Sequence, residues 1–215
     1  MLEKRIIETN EGIQDNATVE LFTSYAEFMR DEGWYEIDVM LETGISGGDI
    51  LEIGPGPGLV GLEIAKKLPG SKLTGYEISQ AMIQAAEKNA AEYHINARYI
   101  HGNAEKMPFK DSSFDSVITN ASMHEWEDPI PVFNEIYRVL RNGGHYCITD
   151  LRRDVDRSKW DYVYYSTPKK LRPSLLASLN ASYTKDEILE VLCKSDLKNS
   201  SVRYNLFTLC VYGNK

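Results

Sequence analysis

The sequence predicts a doubly wound α/β fold: a mostly parallel seven-stranded sheet with helices on both faces, closed by an antiparallel C-terminal hairpin. Three observations carry this. Short apolar runs alternate with helix-forming segments from Ile50 to Asp150, and such alternation needs crossover connections and hence parallel strands. The first run stops at Gly54-Pro55-Gly56-Pro57-Gly58 and is followed directly by helix formers, the pattern of strand, tight turn and helix. Beyond Asp150 the alternation ends, and two short β-rich runs turn on Asn205.

The elements follow in order. Residues 16–43 read as two helices broken near Asp31-Glu32-Gly33, with Val19, Phe22, Ala26 and Met29 at helical spacing in the first and Ile37, Met40 and Leu41 in the second. Asp49 to Ile53 is a strand, and Leu59 to Lys67 a helix with Leu59, Leu62 and Ala65 on one face. Lys72 to Glu77 is a second strand ending in an acid. Ser79 is placed to cap a helix reaching Tyr93, with Met82, Ile83 and Ala86 inward. Ala97 to Ile100, Phe114 to Asn120 and His145 to Asp150 are the next strands. A helix from Pro131 to Leu140 lies between the last two and stops at the left-handed turn Arg141-Asn142-Gly143-Gly144.

Residues 151–182 are rich in charge and tyrosine and read as a partly helical insertion over the carboxyl ends of the strands, its aromatics serving as packing or as pocket wall. Thr184 and Glu187 have capping-box spacing for a helix to Lys194, and Ser201 to Tyr204 with Phe207 to Tyr212 form the hairpin. No repeat or low-complexity segment divides the chain. Residues 1–215 therefore read as one domain: an N-terminal helical cap (1–44), a core (45–150), the insertion (151–182) and a closing helix and hairpin (183–215).

Composition narrows the function classes. A net charge of −8 argues against nucleic acid and against anionic membrane surfaces. No run approaches the ~20 apolar residues of a membrane helix, and Met1 to Glu8 shows no signal-peptide core. Cys147, Cys193 and Cys210 sit in apolar segments without zinc or redox spacing; they read as reduced core residues of a cytoplasmic protein.

A glycine turn at a helix N-terminus, with an acid ending the next strand, is a site for a nucleoside-bearing ligand. Glycine at 54, 56 and 58 lets a ligand approach main chain without a Cβ in the way, and Glu77 is placed to accept from both ribose hydroxyls. Gly56-Pro57-Gly58-Leu59-Val60-Gly61 also fits the dinucleotide spacing, which keeps a nicotinamide-dependent oxidoreductase open. Glu52 tips the balance: an acid just before the loop opposes a pyrophosphate and suits a cationic ligand. The polar-then-apolar turn from Gly102 to Phe109, with Asn103 as acceptor, suits an adenine.

Together, Glu52 to Gly58, Glu77, Gly102 to Phe109 and Arg138 to Gly144 resemble, in order and spacing, the motifs of the class I S-adenosylmethionine-dependent methyltransferases, over roughly residues 45–150. The resemblance implies a Rossmann-like fold, S-adenosyl-L-methionine as cofactor and a small-molecule acceptor. It puts Glu52, Gly54, Gly56, Gly58, Glu77, Ile78, Asn103 and Ala104 at the cofactor, Asn120 and Ala121 near its methionine moiety, and His124 near the acceptor. Asn103 departs from the family, which has an acid there. His124, with an ordinary pKa near neutrality, is the candidate general base, its alternative being a loop-orienting role. Trp126 reads as packing. Asp150, Asp154 and Asp156 read as a solvated acidic loop rather than magnesium ligands. The family architecture also suggests Tyr25 and Phe28 as a lid over the cofactor. A non-catalytic cofactor-binding module of the same fold is the remaining alternative, and acceptor specificity falls to residues 1–40 and 151–182.

Overall fold

The structure, a computed structural model, describes residues 4–8 and 12–215. Residues 1–3 and 9–11, assigned above to the helical cap, lie outside the described residues. In chain order the elements are α1 (Asn16–Asp31), α2 (Ile37–Glu42), β1 (Asp49–Ile53), α3 (Leu59–Lys67), β2 (Lys72–Glu77), α4 (Gln80–Glu92), β3 (Ala97–His101), β4 (Phe114–Asn120), a 3-10 turn (Met123–Glu125), α5 (Pro129–Val139), β5 (Leu140–Leu151), α6 (Arg157–Ser166), α7 (Arg172–Ala181), α8 (Lys185–Leu192), β6 (Ser201–Tyr204) and β7 (Thr208–Asn214).

The strands form one seven-stranded sheet in the order β3-β2-β1-β4-β5-β7-β6. The pairs among β1 to β5 are parallel, and β7 runs antiparallel between β5 and β6. The order reverses at β1, so the crevice beyond the carboxyl ends of β1 and β4 is the topological switch point, where open α/β sheets bind ligands.

Alternation along β1 explains the two cores. Leu51 and Ile53 face one side, where Val132, Phe133, Ile136 and Val139 of α5 and Ile188 and Leu192 of α8 cover them. Ile50 faces the other, packed with Ala26 of α1, Met40 of α2, and Leu59 and Leu62 of α3. Phe133 has no exposed surface, and truncating such a side chain costs about 3–5 kcal/mol.

The caps fall where the sequence puts them. The Ser79 side chain accepts from the Met82 N–H, and Thr184 with Glu187 completes a capping box on α8. The helix expected from Pro131 to Leu140 instead runs Pro129–Val139, because the Asp128 carboxylate accepts the Ile130 N–H and Pro129 opens the first turn. Cys193 also differs from expectation: it is exposed, whereas Cys147 and Cys210 are buried free thiols.

Candidate active site

The donor side is built mainly from main chain. Gly54, Gly56 and Gly58 all have positive φ, at 62°, 52° and 80°, so the loop coils in a conformation that side-chain-bearing residues resist by about 1–2 kcal/mol each. At Gly54 the crowding is absolute, since an added Cβ would stand 2.2 Å from Ser122 Oγ. Gly56 is open by contrast: only Phe22 Cε1, at 3.9 Å, comes near an added Cβ.

Glu77 ends β2 against this loop. Its Oε2 accepts the Gly56 N–H at 3.0 Å and its Oε1 the Ser79 N–H at 2.9 Å. Burial raises its pKa, and the N–H donors partly offset that. Each carboxylate oxygen keeps a lone pair for a further donor. Half-buried Ile78 continues the same edge.

Glu52 lies beneath the loop rather than beside it. It is 2% exposed, and its Oε1 accepts the Gly61 N–H at 3.0 Å, one of the amides left free at the start of α3. Burial pushes its pKa well above the usual carboxylate range. The residue thus caps the start of α3 from below, while its Oε2 is buried without a hydrogen-bond partner among the described residues. Asn103 is likewise occupied, its Oδ1 accepting the Glu105 N–H at 2.9 Å, while Ala104 packs against the core.

The acceptor side is built from side chains. Asn120 ends β4, with its Oδ1 accepting from Thr149 Oγ1 at 2.8 Å. Ala121 follows at φ 52°, a strained, non-glycine left-handed residue of the kind that clusters at working sites. The chain then enters the 3-10 turn that carries His124. Asp150, at the end of β5, grips this histidine twice: Oδ1 on the ring Nδ1 at 2.7 Å and Oδ2 on the His124 main-chain N–H, also at 2.7 Å. Burial alone would pull the His124 pKa down, but Asp150, helped by Glu125 and Glu8, lifts it to about 9. The near-neutral value expected from the sequence is therefore corrected, and His124 is an imidazolium at pH 7. Burial raises Glu125 to about 7 against the opposing pull of His124.

Several residues land elsewhere than expected. Tyr25 and Phe28, suggested above as a lid, are engaged with other side chains. The Tyr25 hydroxyl pairs with Thr167 Oγ1 at 2.8 Å, and Phe28 is 41% exposed, stacked on Tyr25 and edge-on to Trp34. Phe22, one turn earlier, is the α1 aromatic that comes near Gly56. Tyr162 and Tyr165 are 59% and 68% exposed. Trp126 packs edge-on against Phe133. Asp150, Asp154 and Asp156 go to separate partners, His124, Arg152 and the Ser158 N–H respectively. Asp150 is buried at 1% exposure rather than solvated.

The sequence reading missed Asp150 as the partner of His124, although an acid ending a strand, as at Glu77, was a signal in plain view. It also missed Ser122, Arg5 and Glu8, for which no local pattern exists.

Residues 51–148 match the family described as methyltransferase domain. A demethylmenaquinone methyltransferase of Chlorobaculum tepidum is 38% identical over 135 residues, covering 62% of this chain and 52% of that protein. An uncharacterized methyltransferase of Bacillus subtilis is 34% identical over 118 residues, 54% of this chain and 64% of its own length. The chain thus spans roughly half to two thirds of these two relatives. A SAM-dependent methyltransferase from Aquifex aeolicus superposes with a TM-score of 0.70 at 16% identity, covering 93% of this chain and 98% of that one. With the glycine turn, the acid of β2 and the sheet order all in place, residues 51–148 are similar to the methyltransferase-domain family, on a fold shared with a SAM-dependent methyltransferase.

Proposed function

We propose that this protein transfers a methyl group from S-adenosyl-L-methionine to a small-molecule acceptor. The observation that carries the reading is the ledge formed by the positive-φ glycines and Glu77, set in one crevice with the His124–Asp150 pair. The ledge fits the cofactor: there is open space above Gly56, an acid at hand for ribose hydroxyls, and the acids Glu8, Glu125 and Asp150 gathered around His124. When bound, the cofactor supplies an activated methyl on a cationic sulfur. Gly54, Gly56, Gly58, Glu77 and Ile78 would hold its nucleoside side, with Asn103 and Ala104 at the base. Glu52 would act from below by fixing the loop, and Asn120 and Ala121 would border the methionine side.

The chain's own groups then have defined tasks. Asp150 fixes the His124 ring so that Nε2 is the free nitrogen. At pH 7 that nitrogen carries a proton, so His124 orients an acceptor by donating to it. It becomes a proton acceptor only when its pKa falls. A cation held within about 6 Å of such a ring would lower its pKa by about 2 units at an effective dielectric near 20, leaving Nε2 able to take up a proton.

The small-molecule acceptor is supported by the Chlorobaculum relative, which is named for demethylmenaquinone, and by the net charge of −8, which disfavours nucleic acid. We place the protein in the cytoplasm on the strength of its three free cysteines; among the described residues no helix is long and apolar enough to cross a membrane. We read residues 1–215 as one domain because a single sheet joins its core to its closing hairpin. Calorimetry with S-adenosylhomocysteine tests the reading, and no binding at millimolar ligand would overturn it. Tight NAD(P) binding without any response to S-adenosylhomocysteine would favour the oxidoreductase instead. Unchanged turnover in His124→Ala would remove that residue from the chemistry.

A further inference from the structure

Among the described residues ahead of α1, Arg5 and Ile6 are tied to the acceptor side of the molecule, and Gly12 and Ile13 to Ser79. Upstream, the Arg5 guanidinium donates to the carbonyls of His124, Trp126 and Ala181 and lies 4.2 Å over the Tyr183 ring. The Ile6 N–H donates to the Asn180 carbonyl at 3.0 Å. Downstream, Ser79 Oγ donates to the Ile13 carbonyl, and a Cβ on Gly12 would stand 3.2 Å from Ser79 Cβ. Residues 4–8 therefore lie against the acceptor loop and residues 12–13 against Ser79, with Glu8 at the end of the first stretch. Glu8 Oε2 is sealed from solvent and has no hydrogen-bond partner among the described residues. The same carboxylate is close enough to act on both His124 and Glu125.

We propose that Glu8 is an acceptor-site residue whose carboxylate faces the point of methyl transfer and selects a neutral nucleophile, an amine or hydroxyl, over an anionic one. The assignment rests on the methyltransferase reading above. A buried oxygen without a partner is costly to keep, and a ligand with a hydrogen to donate removes that cost. Glu8, Glu125 and Asp150 together set three carboxyl groups against one imidazolium, so an acceptor carboxylate or phosphate would meet like charge in a low-dielectric crevice. A neutral acceptor gains from the same field. As its lone pair bonds to the methyl carbon, the S–C electron pair returns to sulfur and the positive charge passes to the acceptor. The proton that this acceptor then sheds goes to water. Carboxylates placed there stabilise a charge that develops during transfer, which is the kind of interaction that accelerates a reaction.

The test is calorimetry on wild type and Glu8→Gln with two probes: S-adenosylhomocysteine, which is uncharged at sulfur, and sinefungin, which carries an ammonium where the transferred methyl would stand. Glu8→Gln should weaken sinefungin at least tenfold and change S-adenosylhomocysteine less than threefold. Equal effects on the two probes, or none on sinefungin, would overturn the assignment. Should Glu8→Gln fail to fold, Glu8→Asp keeps the question open to test: its ratio of the two affinities should stay within threefold of wild type, and a tenfold fall in that ratio would overturn the assignment. Wild-type protein that binds neither probe would bring down the methyltransferase reading itself, and the assignment with it.

Discussion

The two halves of the crevice are made differently. The donor half is two short stretches, the glycine loop and the end of β2, in which main-chain conformation does the work: positive-φ glycines, a strand end, and a carboxylate held by two amides. The acceptor half is assembled from residues 4–8, the 3-10 turn, the end of β5 and α7, which lie far apart in sequence and meet through side chains. The first is rigid and unspecific as to acceptor. The second is where charge, and hence selectivity, is set.

Variants that act on one half should leave the other intact. The largest effect expected is from Gly56→Arg. An arginine would need a left-handed conformation and would fill the open space over the loop, so S-adenosylhomocysteine binding should be lost in calorimetry while the His124 titration stays in place. Loss of that titration as well would mean the halves are not separable.

Asp150→Asn comes next. It should drop the His124 pKa from about 9 to near or below its ordinary 6.5, read by NMR of the ring. The sign follows from linkage. A raised histidine pKa stabilises the fold fully below pH 6.5, and that contribution is lost as pH rises to about 9. Glu125, raised from 4.5 to about 7, acts in the same direction over that lower window. Cofactor-free wild type should therefore lose stability as pH rises from about 5 to 9, by up to roughly 3 kcal/mol from His124. Asp150→Asn should flatten the upper part of that slope in thermal melts.

Glu77→Ala should weaken S-adenosylhomocysteine by about 1–3 kcal/mol, since it removes both the ribose acceptor and the bond that holds the Gly56 amide. Wild-type affinity would contradict the ribose assignment. The smallest effect marks the boundary of the site. Thr184→Ala breaks the capping box of α8 and should cost about 1 kcal/mol of stability by denaturant titration with no change in ligand affinity.

The same division explains what was legible in the sequence. Strand alternation, Ser79 and Thr184 as caps, and the glycine loop are local signals, because backbone rules act over a few residues, and the structure shows each of them. The partner of His124 lies 26 residues away, and Arg5 reaches carbonyls more than a hundred residues off. Such pairs are settled by the folded sheet, which no window of sequence contains. His124 itself was found, but its pKa was misjudged, because burial and three nearby carboxyl groups only come together in the fold. That Phe22 is the α1 aromatic near Gly56 was not legible for a related reason: Phe22, Tyr25 and Phe28 all suit a helix face, and the aim of that face depends on where α1 docks.

Glu52 carries one last consequence. It is buried and bonded to the Gly61 amide, and burial raises its pKa. What the position demands is reach and shape. Glu52→Gln is nearly isosteric and should be tolerated, whereas Glu52→Asp keeps the formal charge, falls one methylene short of the amide and should loosen the start of α3. The motif's first acid thus acts at the loop through its reach to the Gly61 amide, so side-chain length is what the position demands.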